Sequence, residues 1–170
     1  MYTQIKQFVD NWKNSSAATR KLMGALTDVS LNQKVAEGHR TLGKIAWHIT
    51  TSIPEMANRT GLNVDGPKEG SPVPNTAFEI MDGYDVAAKS LLDQIQENWT
   101  DADLQIQDEM YGEKWRREFT VRVLREHEIH HRGQMTVLMR QAGLEIPGIY
   151  GPSKEEIGRA SCRERVSSPV

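Results

Sequence analysis

The sequence predicts an all-α protein, specifically a four-helix bundle with long crossover connections. Apolar residues recur at helical spacing in four separate segments, and almost no segment alternates apolar and polar residues as a strand would. Long stretches join these segments, about 15 residues between the second and third and about 20 between the third and fourth. Short loops favour a bundle in which successive helices run up and down beside each other. Long connections instead indicate chain segments that cross from one side of the bundle to the other.

The first helix is predicted for about residues 2–27 and the second for about residues 42–59. Thr41 is the expected N-cap of the second helix, because its hydroxyl can accept a hydrogen bond from a free backbone N–H of the first turn. Pro54 lies inside the apolar pattern of this helix and has no N–H to donate to the Thr50 carbonyl. We therefore expect a kink or an early end near Pro54.

The third helix is predicted for about residues 76–98, after a glycine- and proline-rich surface loop at residues 61–75. Thr76 and Glu79 have the spacing of a capping box, which marks the beginning of a helix. Loops as long as residues 61–75 are often functional in a compact domain.

The fourth helix is predicted for about residues 119–142. Before it, weak alternation around Tyr111 and Gly112 indicates either a short hairpin or an irregular crossing. Gly143 is a good residue to end the helix, because glycine adopts the left-handed conformation that often follows a last turn.

The folded domain is expected to end at residue 156. Residues 157–170, "IGRASCRERVSSPV", show no periodicity, and "EIGRASCRERV" looks like the translation of a sequencing-library adapter. We therefore interpret residues 157–170 as a non-native or disordered tail; finding these codons at the source locus on resequencing would contradict the non-native origin. Cys162, the only cysteine of the chain, lies in this tail.

Composition excludes several classes of function. The formal net charge is −2 without a basic stripe, so a nucleic-acid partner is not expected. No apolar run approaches the roughly 20 residues that cross a membrane, and the N-terminus lacks the pattern of a signal peptide. A single cysteine allows no disulfide within the chain, which indicates a cytoplasmic protein.

Two histidines interrupt the apolar stripe of the fourth helix. His127 and His131 are four residues apart, so they lie one turn apart on the same inward face. Two buried imidazoles need compensation from a metal, a buried acid or a water-filled pocket. An HxxxH pair presents two neutral nitrogens to one transition metal, and the alternative is a pair that lines a wet cavity.

The other histidines are weighed against this pair. His48, in "LGKIAWHITTSI" on the second helix, is the natural third metal ligand. A lone histidine there is more often a satisfied core or surface residue, but the pair on the fourth helix favours the ligand role, because a metal needs a third protein ligand to bind tightly. His39 precedes that helix and is expected to be exposed, or to support the ligands. His130 lies about 60° around the helix from His127, so we predict that it is not a ligand and that it contacts substrate or a neighbouring helix.

The run from His127 to His131 also spells HExxH, the signature of zinc proteases. No histidine follows His131 to complete the longer signature, and the chain offers almost no strand to hold a peptide. Glu128 lies three and four residues from Arg125 and Arg132, a spacing typical of ion pairs on a solvated face. That placement competes with a role as general base, so we interpret the protease match as coincidental.

Three segments carry a resemblance to a known family. "WHIT", "EHEIHHRGQMTVLMRQAG" and "PGIYGPSKEE" resemble the DinB-like family of damage-inducible four-helix metalloproteins, over essentially all of residues 1–156. The resemblance implies one divalent metal, commonly zinc, nickel or iron, held by three histidines that match His48, His127 and His131. It also implies a homodimer, and that Arg132, Gly133 and Gln134 pack the helix and support the ligands.

The resemblance also implies a class of reaction, because some related proteins are transferases or isomerases that use bacillithiol, mycothiol or glutathione. Our leading hypothesis is a metal-dependent enzyme that activates a low-molecular-weight thiol for transfer to an electrophile, a small-molecule substrate, in a stress response. One alternative is a metal-dependent hydrolase that uses metal-bound water. The other is a non-catalytic stress-response protein that binds a metal or a small ligand. The residues do not identify a general base.

Overall fold

Within residues 1–157, four long α-helices and one short hairpin form the fold. A computed structural model describes residues 1–157. Two 3-10 turns, at Val29–Asn32 and Asp101–Gln105, lie in the connections. The helices are α1 Ile5–Met23, α2 Leu42–Asn58, α3 Ala77–Asn98 and α4 Arg117–Gln141, and the strands are β1 Gln107–Met110 and β2 Glu113–Arg116. The predicted all-α bundle is confirmed. Residues 158–170, nearly all of the predicted tail, lie outside the described residues.

Two of the three connections between the helices cross the bundle, whereas the loop at residues 61–75 joins neighbouring helices. Helices α1 and α2 each pack against both α3 and α4, so α1 and α2 lie at opposite corners. The chain therefore crosses a diagonal between α1 and α2 and again between α3 and α4. None of the helices in residues 1–157 is long and apolar enough to pass through a membrane.

Helix α2 begins where its cap predicts but does not end early. The Thr41 hydroxyl accepts a hydrogen bond from the Lys44 amide at 3.2 Å. The helix continues through Pro54, so the predicted early end is wrong. Ile53 and Met56, on either side of the proline, are buried in the core. Burial of such side chains contributes roughly 1.5–3 kcal/mol each, which outweighs a proline cost of about 3 kcal/mol.

Helix α1 is shorter than predicted at both ends. At its beginning, the backbone N–H groups of Thr3 and Gln4 donate to the Gln7 side chain, and the Ile5 N–H donates to Asp101. These hydrogen bonds satisfy backbone N–H groups at the beginning of the helix, which have no acceptor within the helix itself. Gly24 ends the helix.

The connection between α3 and α4 contains the hairpin rather than the irregular crossing. Strands β1 and β2 pair antiparallel, with Met110 opposite Glu113. Tyr111 and Gly112 form the turn with φ angles of 54° and 85°, and two left-handed residues are what a type I′ turn requires. The Tyr111 hydroxyl donates to Glu55 of α2 at 2.6 Å, which fixes the tip of the hairpin against that helix.

The remaining helix ends follow the sequence closely. The Thr76 hydroxyl accepts from the Glu79 amide at 3.2 Å, so α3 begins at the predicted cap. Helix α4 is followed by Gly143 in the left-handed region, at φ 75°. The Leu144 amide reaches back to the Met139 carbonyl at 2.9 Å, as in a Schellman motif.

Glu128 contradicts the sequence prediction, because it lies in the core and not on a solvated face. Glu128 and Arg132 are only 1% and 2% exposed. One Glu128 oxygen accepts hydrogen bonds from Ser15 at 3.3 Å, Thr19 at 2.5 Å and Tyr84 at 3.2 Å. Burial raises the Glu128 pKa, whereas Thr19 and Arg132 act to lower it. The carboxyl group therefore joins α4 to both α1 and α3.

Arg132 completes this buried polar cluster, which consists of Glu128, Arg132, Ser15, Thr19 and Tyr84. Its guanidinium donates to the Ser15 carbonyl at 2.8 Å and to the Thr19 hydroxyl at 3.1 Å. It lies 3.8 Å from the Glu128 carboxylate. A buried charge of either sign would be costly alone, so each of the two depends on the other.

Replacing Glu128 by alanine should lower the free energy of unfolding by about 3 kcal/mol or more, because Arg132 would remain buried without its carboxylate partner. Glu126→Ala is the matched control on the same helix. Glu126 is exposed and pairs with Arg122 at the surface, so its loss should cost about 0.5 kcal/mol or less. Urea unfolding followed by circular dichroism measures both values. Equal losses in the two variants would contradict the burial of Glu128.

Candidate metal centre

Three histidines meet where α2 packs against α4. His48 comes from the middle of α2, and His127 and His131 lie one turn apart on the facing side of α4. The Nε2 atom of His127 is 3.1 Å from the Nε2 atom of His48 and 3.1 Å from that of His131. The structure therefore brings together the three histidines that the sequence singles out as candidate ligands, with all three ligand atoms within 4.8 Å of one another.

The spacing of the three nitrogens fits a divalent transition metal. A tetrahedral zinc ion with bonds of about 2.0–2.1 Å to nitrogen separates its ligand nitrogens by roughly 3.3–3.4 Å, close to the two observed distances. All three donors are imidazoles, which suit zinc, nickel and iron better than magnesium or calcium. This group, which we call the histidine triad, could hold such a metal ion.

The histidine triad is neutral near pH 7, which is the state that a metal requires. Burial is the largest cause that lowers the pKa of each imidazole. The pKa of His127 falls to about 4, because the neighbouring His131 and His48 rings add to the effect of burial. Neutral rings keep a lone pair available for a metal and do not repel it.

Gln134 orients one ring of the triad. The Nδ1 atom of His131 donates to the side-chain oxygen of Gln134 at 2.7 Å, since an amide oxygen can only accept. With the proton on Nδ1, the Nε2 atom of His131 carries the lone pair that faces the other two rings. Gln134 thus supports the ligand set, as the resemblance implies for its part of the motif.

The two remaining histidines lie outside the triad. His130 is exposed, and its Nε2 atom accepts a hydrogen bond from the Gln134 amide at 3.1 Å. His39 is also exposed, and it lies in a cleft beside His131. The position of His130 outside the triad agrees with its offset of about 60° from His127. The exposure of His39 agrees with the prediction for a residue that precedes α2.

Two clefts open beside the histidine triad, on different sides. The first, which we call the hairpin cleft, has a volume of about 330 Å³ and is lined by His48, His127, Glu55, Tyr111 and Trp115, among others. Tyr111 and Trp115 come from the hairpin, so the crossing connection forms one wall of the site.

The second cleft, which we call the Arg40 cleft, has a volume of about 470 Å³. It is lined by residues of the connection before α2, including His39 and Arg40, and by His131, Gln134 and Leu138 of α4. Both volumes are in the range of sites for small molecules.

Several residues of the clefts were not singled out from the sequence. Glu55 lies seven residues after His48, two turns along the same helix face, and that spacing was an available signal. Tyr111 was noted only as part of a turn. Nothing in the local sequence indicates that Arg40 lies near the triad, because its position depends on how the connection before α2 folds.

Comparison with known proteins places the chain in a family. A sequence model of the DinB family matches residues 1–164. The uncharacterized protein YrdA of Bacillus subtilis (strain 168) is 42% identical over 156 residues, which are 92% of this chain and 93% of YrdA.

Two crystal structures share the fold. A DinB-like protein from Bacillus cereus ATCC 10987 superposes with a TM-score of 0.86 at 43% identity, over 88% of this chain and 100% of that one. The DinB-like protein YjoA from Bacillus subtilis superposes with a TM-score of 0.65 over 84% of this chain and 97% of its own, and its 21% identity supports the fold alone. The family model, YrdA and the Bacillus cereus structure each match most of this chain, and the chain belongs to the DinB family.

Proposed function

We propose that the protein is a metal-dependent enzyme that activates a low-molecular-weight thiol for transfer to an electrophile. The observation that supports this most directly is the convergence of three neutral imidazole nitrogens beside two clefts. We propose His48, His127 and His131 as the ligands of one zinc, nickel or iron ion. When bound by three neutral ligands, such an ion keeps its full charge and lowers the pKa of a thiol or water at its free position.

The protein's own residues prepare this position. Burial keeps the three imidazoles unprotonated, and Gln134 holds the His131 ring with its Nε2 lone pair toward the other two. The α2 and α4 backbones fix the remaining two rings, because His48 and His127 both lie well inside long helices. A rigid set of neutral donors is the arrangement that leaves a bound cation reactive.

The attacking atom must come from a small molecule. Residues 1–157, the part of the chain that the structure describes, contain no cysteine. In the proposed reaction the thiol loses its proton to solvent, and its sulfur bonds to the electrophilic carbon as the leaving group departs with its electron pair. The hairpin cleft offers a place for the electrophile, because Met56, Trp115 and Val123 give it apolar walls next to His48 and His127.

The cytoplasmic location, the stress setting and the homodimer stay predictions. Each follows from the composition or from the family resemblance, and the proposed reaction depends on none of them. The histidine triad lies between two helices of one chain, so a second copy is not needed to supply its ligands.

Thiol-dependent turnover is the expected result when the zinc-loaded protein is given 1-chloro-2,4-dinitrobenzene with glutathione or cysteine. Absorbance of the thioether product should rise faster than in the uncatalysed reaction, because the triad site increases the thiolate fraction near pH 7. His127→Ala protein should give only the uncatalysed rate. Hydrolysis of p-nitrophenyl acetate without any thiol would instead favour the hydrolase, and no turnover with either substrate would favour a binding protein.

Alanine at His48, His127 or His131 should abolish stoichiometric metal binding, because two remaining imidazoles hold a divalent ion weakly. Alanine at His130 or His39 should leave the metal content near one ion per chain. Elemental analysis by mass spectrometry, on protein purified without a polyhistidine tag, measures the content. A loss in the His130 variant equal to that in the His131 variant would overturn the choice of ligands.

Replacing Gln134 by leucine should weaken metal affinity by roughly 10- to 100-fold without removing the site, because only the support of the His131 ring is lost. Gln141→Leu is the control, since Gln141 is exposed at the end of the same helix. Competition with a chromophoric chelator measures both affinities. Unchanged affinity in the Gln134 variant would contradict the role given to its side-chain oxygen.

A further inference from the structure

The Arg40 cleft combines a charged end with apolar walls. Arg40 and His39 provide its polar groups on the side of the connection before α2. Val35 and Val137 are 56% and 52% exposed and contribute apolar surface to its walls. His131 forms part of the lining, so a molecule in the cleft can reach the histidine triad. A cavity with one charged end and apolar sides fits a small amphiphilic molecule.

The Arg40 charge has no counter-charge within the described residues. Among residues 1–157 its side chain makes neither a hydrogen bond nor an ion pair, and no carboxylate lines the cleft. The nearest acidic residue in sequence, Glu37, pairs with Lys34 at 3.0 Å. A guanidinium left open at a concave surface is a ready partner for an anion, because its fork of N–H donors matches a carboxylate.

Arg40 also acts on the histidine triad through space. It lines the same cleft as His131, which places its positive charge beside the triad. A divalent cation at the triad would add to the positive charge of Arg40. Three neutral imidazoles would neutralise neither the cation nor the arginine. The local potential on this side would therefore be strongly positive, which attracts anionic ligands.

The two clefts differ in charge, and this difference determines the orientation of a charged molecule bound at the triad. Glu55 and Glu69 line the hairpin cleft, and although Arg59 pairs with Glu55 at 2.7 Å, Glu69 still disfavours an anion there. Among the residues from 1 to 157 that line it, the Arg40 cleft has a positive charge and no carboxylate. An anionic group on a ligand of the triad is thus directed away from the hairpin and toward Arg40.

Building on the proposed thiol transfer, we propose that the Arg40 cleft binds the carboxylate of the thiol, so that the thiol partner of this protein is one that carries a carboxylate. Arg40 is a binding residue that pairs with the carboxylate, and His39 is a neighbouring donor. Val35 and Val137 contact the carbon chain between the carboxylate and the sulfur. The electrophile then occupies the hairpin cleft on the other side of the triad.

The test compares two thiols of similar size, 3-mercaptopropionate with a carboxylate and 2-mercaptoethanol with a hydroxyl. Calorimetric titration of the zinc-loaded protein should give a Kd for 3-mercaptopropionate at least about tenfold lower. In Arg40→Gln protein this preference should fall to about twofold or less, with unchanged zinc content. Arg116→Gln, which alters another exposed arginine that does not line either cleft, should keep the full preference.

The outcomes separate this inference from the proposed function. If both thiols bind the wild type equally, the carboxylate site is wrong and thiol binding stands. If Arg40→Gln keeps the preference, the carboxylate binds elsewhere and the role of Arg40 is overturned.

A second pair of probes applies if neither thiol binds, a result that would count against the proposed function. Acetohydroxamate and succinate monohydroxamate bind metals through the same group, and only the latter carries a distant carboxylate. An Arg40-dependent preference for the succinate compound of about tenfold would support the carboxylate site without any thiol. Equal binding of the two hydroxamates would refute the site.

Discussion

The packing of α2 against α4 is the constraint on which the candidate site depends. His48 and the two α4 histidines can direct their Nε2 atoms to one point only if the two helices keep their register, because one residue of slip rotates a side chain by about 100°. Several features fix that register. Thr41 sets the beginning of α2, and the helix continues past Pro54 without losing its buried face. The hairpin precedes α4 directly, and its Tyr111 holds it to α2.

The α4 motif carries two overlapping pairs with the same spacing. His127 and His131 face α2, whereas Glu128 and Arg132, each one residue later, face α1 and α3. This explains why the HExxH match is misleading. In a zinc protease the glutamate acts beside the metal, but Glu128 is turned away from the triad and is bonded to Thr19 and Tyr84. Glu128 therefore belongs to the buried polar cluster and not to the face of α4 that carries the triad.

The sequence was sufficient for whatever depends on local periodicity and capping. It located four helices, the caps at Thr41 and Thr76, and the three histidines that meet. The sequence failed for Glu128, whose hydrogen-bond partners are distant along the chain. A glutamate with arginines three and four residues away shows the same local pattern on a solvated face and in a core. The Glu128 partners Ser15 and Thr19 are 113 and 109 residues away. The early end expected near Pro54 was wrong because a local proline rule does not include tertiary burial, although the predicted range of about residues 42–59 was right to within one residue.

The separation of charges around the triad follows from the same architecture. Helix α2 places Glu55 two turns after His48, in the wall that it shares with the hairpin, while Arg40 immediately precedes the Thr41 cap at its other end. Helix α2 and the connection that precedes it thus set a carboxylate and a guanidinium on opposite sides of one imidazole. Because the triad itself is neutral, these flanking charges and not the imidazoles set the sign of the charge on each side of it.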